Sequence, residues 1–171
     1  MAGRNGYCRN YCFRVILLVP LLGGSAGREF KVIRIFYATD RQQTGNSQAR
    51  KFFANDRAPN GTLSLGVCEV SIPDSDRHKL GFLEKPSIYR LEFRPNPKKH
   101  VVLLSAHSLE ERRFFNLLKR RVAKSERKEA FVFIHGYNVT FEDAARRTAQ
   151  FASDLQFDGA PVLYSRPSRG S

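Results

Sequence analysis

Phe131-Val-Phe-Ile134, His135-Gly-Tyr-Asn138, Thr140-Phe-Glu-Asp143 and Val162-Leu-Tyr164 are the segments on which the fold turns. Four consecutive apolar residues, Phe131 to Ile134, have the pattern of a strand covered on both faces. His135 to Asn138 then reads as a loop. Thr140 is placed to cap a helix, with Asp143 where a capping acid sits. Phe141, Ala144, Ala145, Ala149, Ala152 and Leu155 keep a 3.6-residue period, so one face of that helix is apolar. Asp158-Gly159 ends it, and Val162 to Tyr164 reads as a second buried strand. Strand, helix and strand over so short a distance predict a βαβ unit in a parallel sheet.

Upstream, the period changes from helical to alternating. Phe30 to Tyr37 is rich in β-branched and aromatic residues and reads as a strand ending at Ala38-Thr39-Asp40-Arg41. A polar stretch with Gly45, Pro59 and Asn60-Gly61 follows as a long loop. Leu63 to Ile72 is the next strand. Its apolar phase moves from Leu63, Leu65 and Val67 to Cys68, Val70 and Ile72, which predicts a bulge beside Gly66. Asp74 to Gly81 reads as a charged turn region. Tyr89, Leu91 and Phe93 alternate with charged residues, and Val101 to Leu104 forms a further strand, so the two are expected to pair as a hairpin. Ser108 with Glu111 reads as a capping box. The helix after it, reaching Lys124, has Phe114, Phe115, Leu118 and Val122 on one face. Its other face carries Arg112, Arg113, Lys119, Arg120 and Lys124, the composition of a solvated surface.

The 171 residues suit one modest domain or part of a larger one, and 42% apolar with 26% charged residues excludes wholesale disorder. No apolar run reaches the roughly 18 residues that a bilayer span requires. The net charge of +13 allows contact with phosphates or anionic lipid. It supports a second reading, a non-catalytic basic module for polyanions or anionic membrane surfaces. The basic residues are scattered and no aromatics are interleaved for base stacking, so no specific nucleic-acid partner is expected.

Residues 1–27 combine Arg4, Arg9 and Arg14, an apolar run from Val15 to Leu22, and the small-residue exit Gly23-Gly-Ser-Ala-Gly27. That is the layout of a secretory signal, and a true signal implies a periplasmic or secreted protein. A spurious upstream extension or a short apolar strand is the other reading, and it leaves a cytoplasmic protein. Cys8 and Cys12 lie in this segment, so Cys68 is alone in the rest of the chain. It can form no internal disulfide or metal framework and reads as a buried structural thiol. No cofactor is expected.

Gly23 to Gly27 also fits G-x-S-x-G, the nucleophile elbow. An elbow requires a helix directly after its turn, however, and a strand follows here, so Ser25 is not read as a nucleophile. A loop at the carboxyl end of a parallel strand is where α/β proteins hold ligands. The candidate binding residues are therefore His135, Gly136, Tyr137 and Asn138. Gly136 is expected to take unusual dihedrals and let the backbone approach a ligand, with neighbouring N–H groups aimed at a developing oxyanion.

The segments Val132 to Asn138, Phe141 to Gln150, Asp158 to Val162 and Ser165 to Gly170 resemble a bacterial family of α/β-hydrolases of unknown function, a group within the esterase/lipase superfamily. Phe36-Tyr-Ala-Thr-Asp-Arg41, Gly66-Val67, Glu69 to Pro73 and Asp76 to Gly81 are similar to its N-terminal part. The chain differs at Arg166, where the family usually has Trp. The resemblance implies an α/β class, here an incomplete hydrolase fold in which N-terminal antiparallel strands lead into the parallel βαβ unit. On that reading residues 1–27 are a signal-like or disordered N-terminus and 28–171 the N-terminal part of the hydrolase domain. It implies a small-molecule ester substrate in the full-length parent, the Tyr137 N–H as oxyanion donor, and His135 as the residue that orients the loop.

The same resemblance places the nucleophile, acid and base beyond Ser171. His78, His100, His107 and His135 lack a Ser and a carboxylate at a triad spacing, and Ser108 is read as a helix cap. The expectation is a chain inactive or weakly active as it stands, whether a truncated gene product, a fragment or one part of a complemented enzyme. Marginal stability and self-association through an exposed sheet edge, at the Val162 to Tyr164 strand, are expected with it.

Overall fold

A computed structural model describes residues 30–74, 79–85 and 94–168. Their strands are β1 (Phe30–Thr39), β2 (Arg41–Gln43), β3 (Phe53–Arg57), β4 (Ser64–Pro73), β5 (Val102–Leu109), β6 (Ala130–Ile134) and β7 (Ala160–Ser165). The helices are α1 (Glu111–Lys124) and α2 (Phe141–Asp154). Five strands form one mixed sheet in the order β5-β4-β1-β7-β6, and β2 and β3 make a separate two-stranded ribbon. β4 runs antiparallel to both β1 and β5. β1, β7 and β6 are mutually parallel. Antiparallel strands thus lead into the β6-α2-β7 unit, the α/β architecture expected from the sequence.

β1 lies at the centre and has Ile35, Phe36 and Tyr37 buried in succession. Ile35 and Tyr37 face α2, whose Phe141, Ala144, Ala145 and Ala149 pack with Cys68, Val70, Ile72 and Leu163. Phe36 points the other way, to Phe114 of α1 at 5.7 Å between ring centroids. Full burial of one such side chain is worth about 1.5–3 kcal/mol, so the two helices hold the sheet from opposite sides. The alanines of α2 let that helix lie close to the strands. Thr140 caps it as expected, its Oγ1 accepting from the Asp143 amide at 3.1 Å.

Several local expectations are corrected. Leu65 and Val67 pack toward α1, whereas Cys68, Val70 and Ile72 pack toward α2. The apparent change of phase in β4 is therefore two covered faces of one strand, paired without a break along β1. The irregularity lies instead against β5, between Glu69 and Val70, with Leu104 as the extra residue. β5 runs on to Leu109, because Ser108 pairs with Gly66 in the ladder. Sheet pairing outcompetes the local cap, and Glu110 caps α1 by accepting from the Arg112 amide. Phe115 is exposed while Phe114 is buried, and Leu155, just past the end of α2, is 71% exposed. The proposed partner strand at Tyr89 to Phe93 lies outside the described residues, as does most of the turn between Asp74 and Gly81.

The largest correction concerns β6. It is an edge strand, with Val132 60% and Ile134 61% exposed. α1 covers β1, β4 and β7 without reaching it, and on the other face Phe133 packs against Phe151 of α2. An apolar run reads alike in the middle of a sheet and at an uncovered edge. β7, expected at the edge, is enclosed between β1 and β6.

Gly66 is held between β1 and β5, where an added Cβ would run into the His107 carbonyl oxygen and the Tyr37 phenol. Gly66→Ala is expected to lower stability by about 1–3 kcal/mol in urea unfolding. Gly136→Ala meets nothing within 4 Å, so the same measurement should find it within about 0.5 kcal/mol of the parent.

Candidate functional site

The parallel register brings three strand ends together. Thr39 pairs with Ser165, and Ile134 pairs with Tyr164, so His135 emerges beside Ser165. Two residues past Thr39 comes Arg41, fully buried, and its guanidinium joins the ends. Its Nε donates to Ser165 Oγ at 2.9 Å. One terminal nitrogen donates to Asn55 Oδ1 at 3.1 Å and to the Ala54 carbonyl at 3.4 Å. The other donates to the Val139 carbonyl at 2.6 Å and lies 3.4 Å from His135 Nε2. Thr39 Oγ1 accepts from the Arg41 amide and donates to the Ser165 carbonyl. Burial pulls the Arg41 pKa down from its ordinary value, and neighbouring Asp40 opposes that pull. Asp40 in turn pairs with Arg57 at 3.2 Å.

The hydrogen bonds assign the state of His135. Nδ1 lies 2.8 Å from the Gly136 carbonyl, which can only accept, so Nδ1 carries the proton. Nε2 is then the acceptor, facing Ser165 Oγ at 3.1 Å. Burial lowers the His135 pKa most; the Gly136 carbonyl works against this, and the charges of Arg41 and Arg166 add to it. The imidazole is neutral. Ser165 Oγ accepts from Arg41 and donates to His135, and is itself fully buried. This Ser–His pair has no carboxylate on Nδ1, so it lacks the orienting acid of a triad.

The pair fixes a turn. His135 anchors its start, and the Val139 amide donates to Ser168 Oγ at its end. Between these points Gly136, Tyr137 and Asn138 are exposed, Tyr137 by 69%. The unusual dihedrals expected of Gly136 fall instead at Asn138, which is left-handed with φ 53°. Asn tolerates this region better than most residues. All four candidate residues are therefore contiguous at the carboxyl end of β6, with the histidine inside and the other three outside.

Beside the turn is a cavity of about 310 Å³, with Leu83, Phe133 and Val139 as apolar wall and Lys85, Asp143 and Arg147 at its polar side. Lys85 Nζ lies 2.8 Å from Asp143 Oδ1. Burial works against the Asp143 charge, but Lys85, Thr140 and Arg146 together hold its pKa below the ordinary value.

The other histidines lie elsewhere. His100 Nδ1 accepts from the Asn96 amide, His107 is exposed on β5, and His78 and Ser25 are outside the described residues. Ser108 Oγ bonds to Gln43 and Tyr37. Cys68 is buried and burial raises its thiol pKa, as expected of a structural thiol. Among the described residues no group of three or more His, Cys, Asp or Glu could hold a metal ion.

Thr39, Arg41, Ser165 and Ser168 were not singled out as functional from the sequence. The signal was a polar residue directly after an apolar strand, repeated in Thr39-Asp40-Arg41, His135 and Ser165.

Residues 110–171, which span α1, β6, α2 and β7, match the model of a family described as an alpha/beta hydrolase of unknown function. No curated protein and no solved structure matches the chain.

Lysine keeps the charge of Arg41 but not its planar fork. Arg41→Lys is expected to lower stability by more than about 2 kcal/mol in urea unfolding, since each hydrogen bond to a charged group is worth about 1.5–3 kcal/mol. His135 gives a pH dependence. Its folded pKa lies below the unfolded value of about 6.5, so its contribution is intact above that pH. As pH falls, the unfolded chain takes up the proton first and stability declines. The slope of unfolding free energy between pH 7 and 5 should flatten in His135→Gln.

Proposed function

We propose that this hydrolase-like domain supplies the oxyanion-stabilising side of a site that hydrolyses carboxylic esters. The observation that carries the reading is the exposed Gly136 to Asn138 turn at the end of a parallel strand, with Arg41, Ser165 and Ser168 fixing its two ends, in a segment that matches an alpha/beta hydrolase family model. Pre-aligned amides at such a position cost no reorganisation as negative charge develops on the carbonyl oxygen.

In this scheme the scissile carbonyl lies over the turn. Attack at its carbon moves the π electrons onto oxygen, and the Tyr137 N–H donates to that oxyanion. Collapse of the tetrahedral intermediate then re-forms the carbonyl, breaks the ester C–O bond and expels the alkoxide, which takes up the proton given up by the attacking water. The acyl chain lies along Leu83, Phe133 and Val139. His135 positions the turn and does not act as base, because its Nε2 is occupied by a buried hydroxyl and a guanidinium. Ser165 does not attack, because its oxygen is buried and already accepts from Arg41. In this reading the turn stabilises the oxyanion and water is the attacking group. Oxyanion and binding effects alone can still give a residual acceleration of about 10³–10⁴ over water.

The test is hydrolysis of p-nitrophenyl butyrate by the full chain. The expected result is slow, saturable turnover that a fluorophosphonate leaves unchanged. Tyr137→Pro removes the amide proton and should cut the rate about 10²-fold or more, whereas Tyr137→Ala should leave it near the parent value. Turnover blocked by covalent labelling of any serine, Ser25 or Ser165 included, would overturn the inactive-nucleophile reading. Equal rates in the Pro and Ala variants would overturn the role of Tyr137.

A further inference from the structure

A second cavity, of about 420 Å³, opens between β3, the short helical turn at Ala49–Lys51 and the start of α2. Its floor is aromatic. Phe53 and Phe141 lie 4.6 Å apart between ring centroids, and both contact Tyr37. Its rim is polar and cationic, with Arg50 and Lys51 on one side and Asn46 and Asn55 among the other lining residues. No carboxylate lines it.

The wall is built rather than loose. Thr44 Oγ1 donates to the Lys51 carbonyl, and the Thr44 amide donates to the Phe52 carbonyl at 3.1 Å. Asn46 Oδ1 accepts from the Gln48 amide at 2.8 Å, and the Lys51 amide donates to the Gln48 carbonyl at 2.9 Å. These bonds hold the 44–52 backbone in one shape, with the exposed Arg50 and Lys51 at the rim of the cavity.

The start of α2 also opens here, but Glu142 and Asp143 in its first turn offset the helix dipole, so Arg50 and Lys51 carry the attraction. Burial pushes the Glu142 pKa up, and the charges of Arg146, Arg50 and Lys85 oppose that shift.

The cavity is tied to the turn by one side chain. The Arg41 nitrogen that donates to Ala54 and Asn55, both cavity residues, belongs to the same guanidinium that holds Val139 and His135. We propose that this cavity binds an anionic group, a carboxylate or phosphate, on an ester substrate, with Arg50 and Lys51 as counter-charges and Phe53 and Phe141 beneath the carbon skeleton. The inference rests on the ester-hydrolase reading above and names the substrate class for it.

The experiment is an amide chemical-shift titration of the full chain with inorganic phosphate, monobutyl phosphate and butyrate. Saturable shifts at Thr44, Asn46, Arg50 and Asn55 are expected. Monobutyl phosphate should bind more tightly than inorganic phosphate, because the aromatic floor takes its alkyl part. A stronger response to phosphate than to butyrate, or the reverse, identifies which anion the substrate carries. R50A/K51A changes two exposed side chains and should weaken binding at least tenfold, with the rest of the spectrum unchanged. R113A/R120A on the basic face of α1 should leave binding as it was.

Shifts that never saturate, that persist in R50A/K51A, or that map to α1 would overturn the proposal and leave only attraction to net charge. The two readings fail separately. Loss of the anion response with a Tyr137→Pro effect intact sinks the cavity and spares the turn. Anion binding intact, with ester turnover indifferent to Tyr137→Pro, does the opposite.

Discussion

The buried Arg41 guanidinium is the interaction on which this end of the molecule depends. Removing a cation from water costs several kcal/mol unless its donors are met. Here the partners come from four parts of the chain: β3 through Ala54 and Asn55, β7 through Ser165, His135, and Val139 at the start of the α2 segment. None can move without leaving a buried donor unsatisfied. The three parallel strand ends are thus held at fixed separation by one planar group, and the exposed turn inherits that rigidity. A surface loop would otherwise be the most mobile part of such a sheet.

Much of this was legible in the sequence. The 3.6-residue period of α2, its Thr140 cap, the β-branched and aromatic content of β1 and the alternation in β4 placed the elements, because local preference and burial point the same way in each. The position of the His135 to Asn138 turn followed from strand-turn-helix spacing alone. What escaped was tertiary. Ser108 and Glu111 have the sequence of a cap, but β4 offers Ser108 a ladder position through Gly66, and the ladder prevails. Phe131 to Ile134 shows four apolar residues and nothing about how far a neighbouring helix extends. The Arg41–Ser165–His135 cluster joins residues 124 and 94 positions apart, so no local pattern could display it.

The two edges of the α/β architecture differ in character. β6 carries no charge, no proline and no bulge, whereas β5 has a bulge at Leu104 and an exposed His107. Bulges and charged side chains on an edge hinder pairing with another chain, and β6 has neither. The uncovered strand also leads directly into the candidate turn, so whatever rests against its edge would share a boundary with the cavity formed by Phe133 and Val139.

The interior thiol of β4 has a practical consequence. Cys68 is wholly enclosed under α2, and burial keeps it protonated. An alkylating reagent can reach it only when the β1–β4–β5 ladder opens. In a C8S/C12S variant the rate of labelling is therefore a clock for that opening, and it reports the free energy of core exposure without any denaturant.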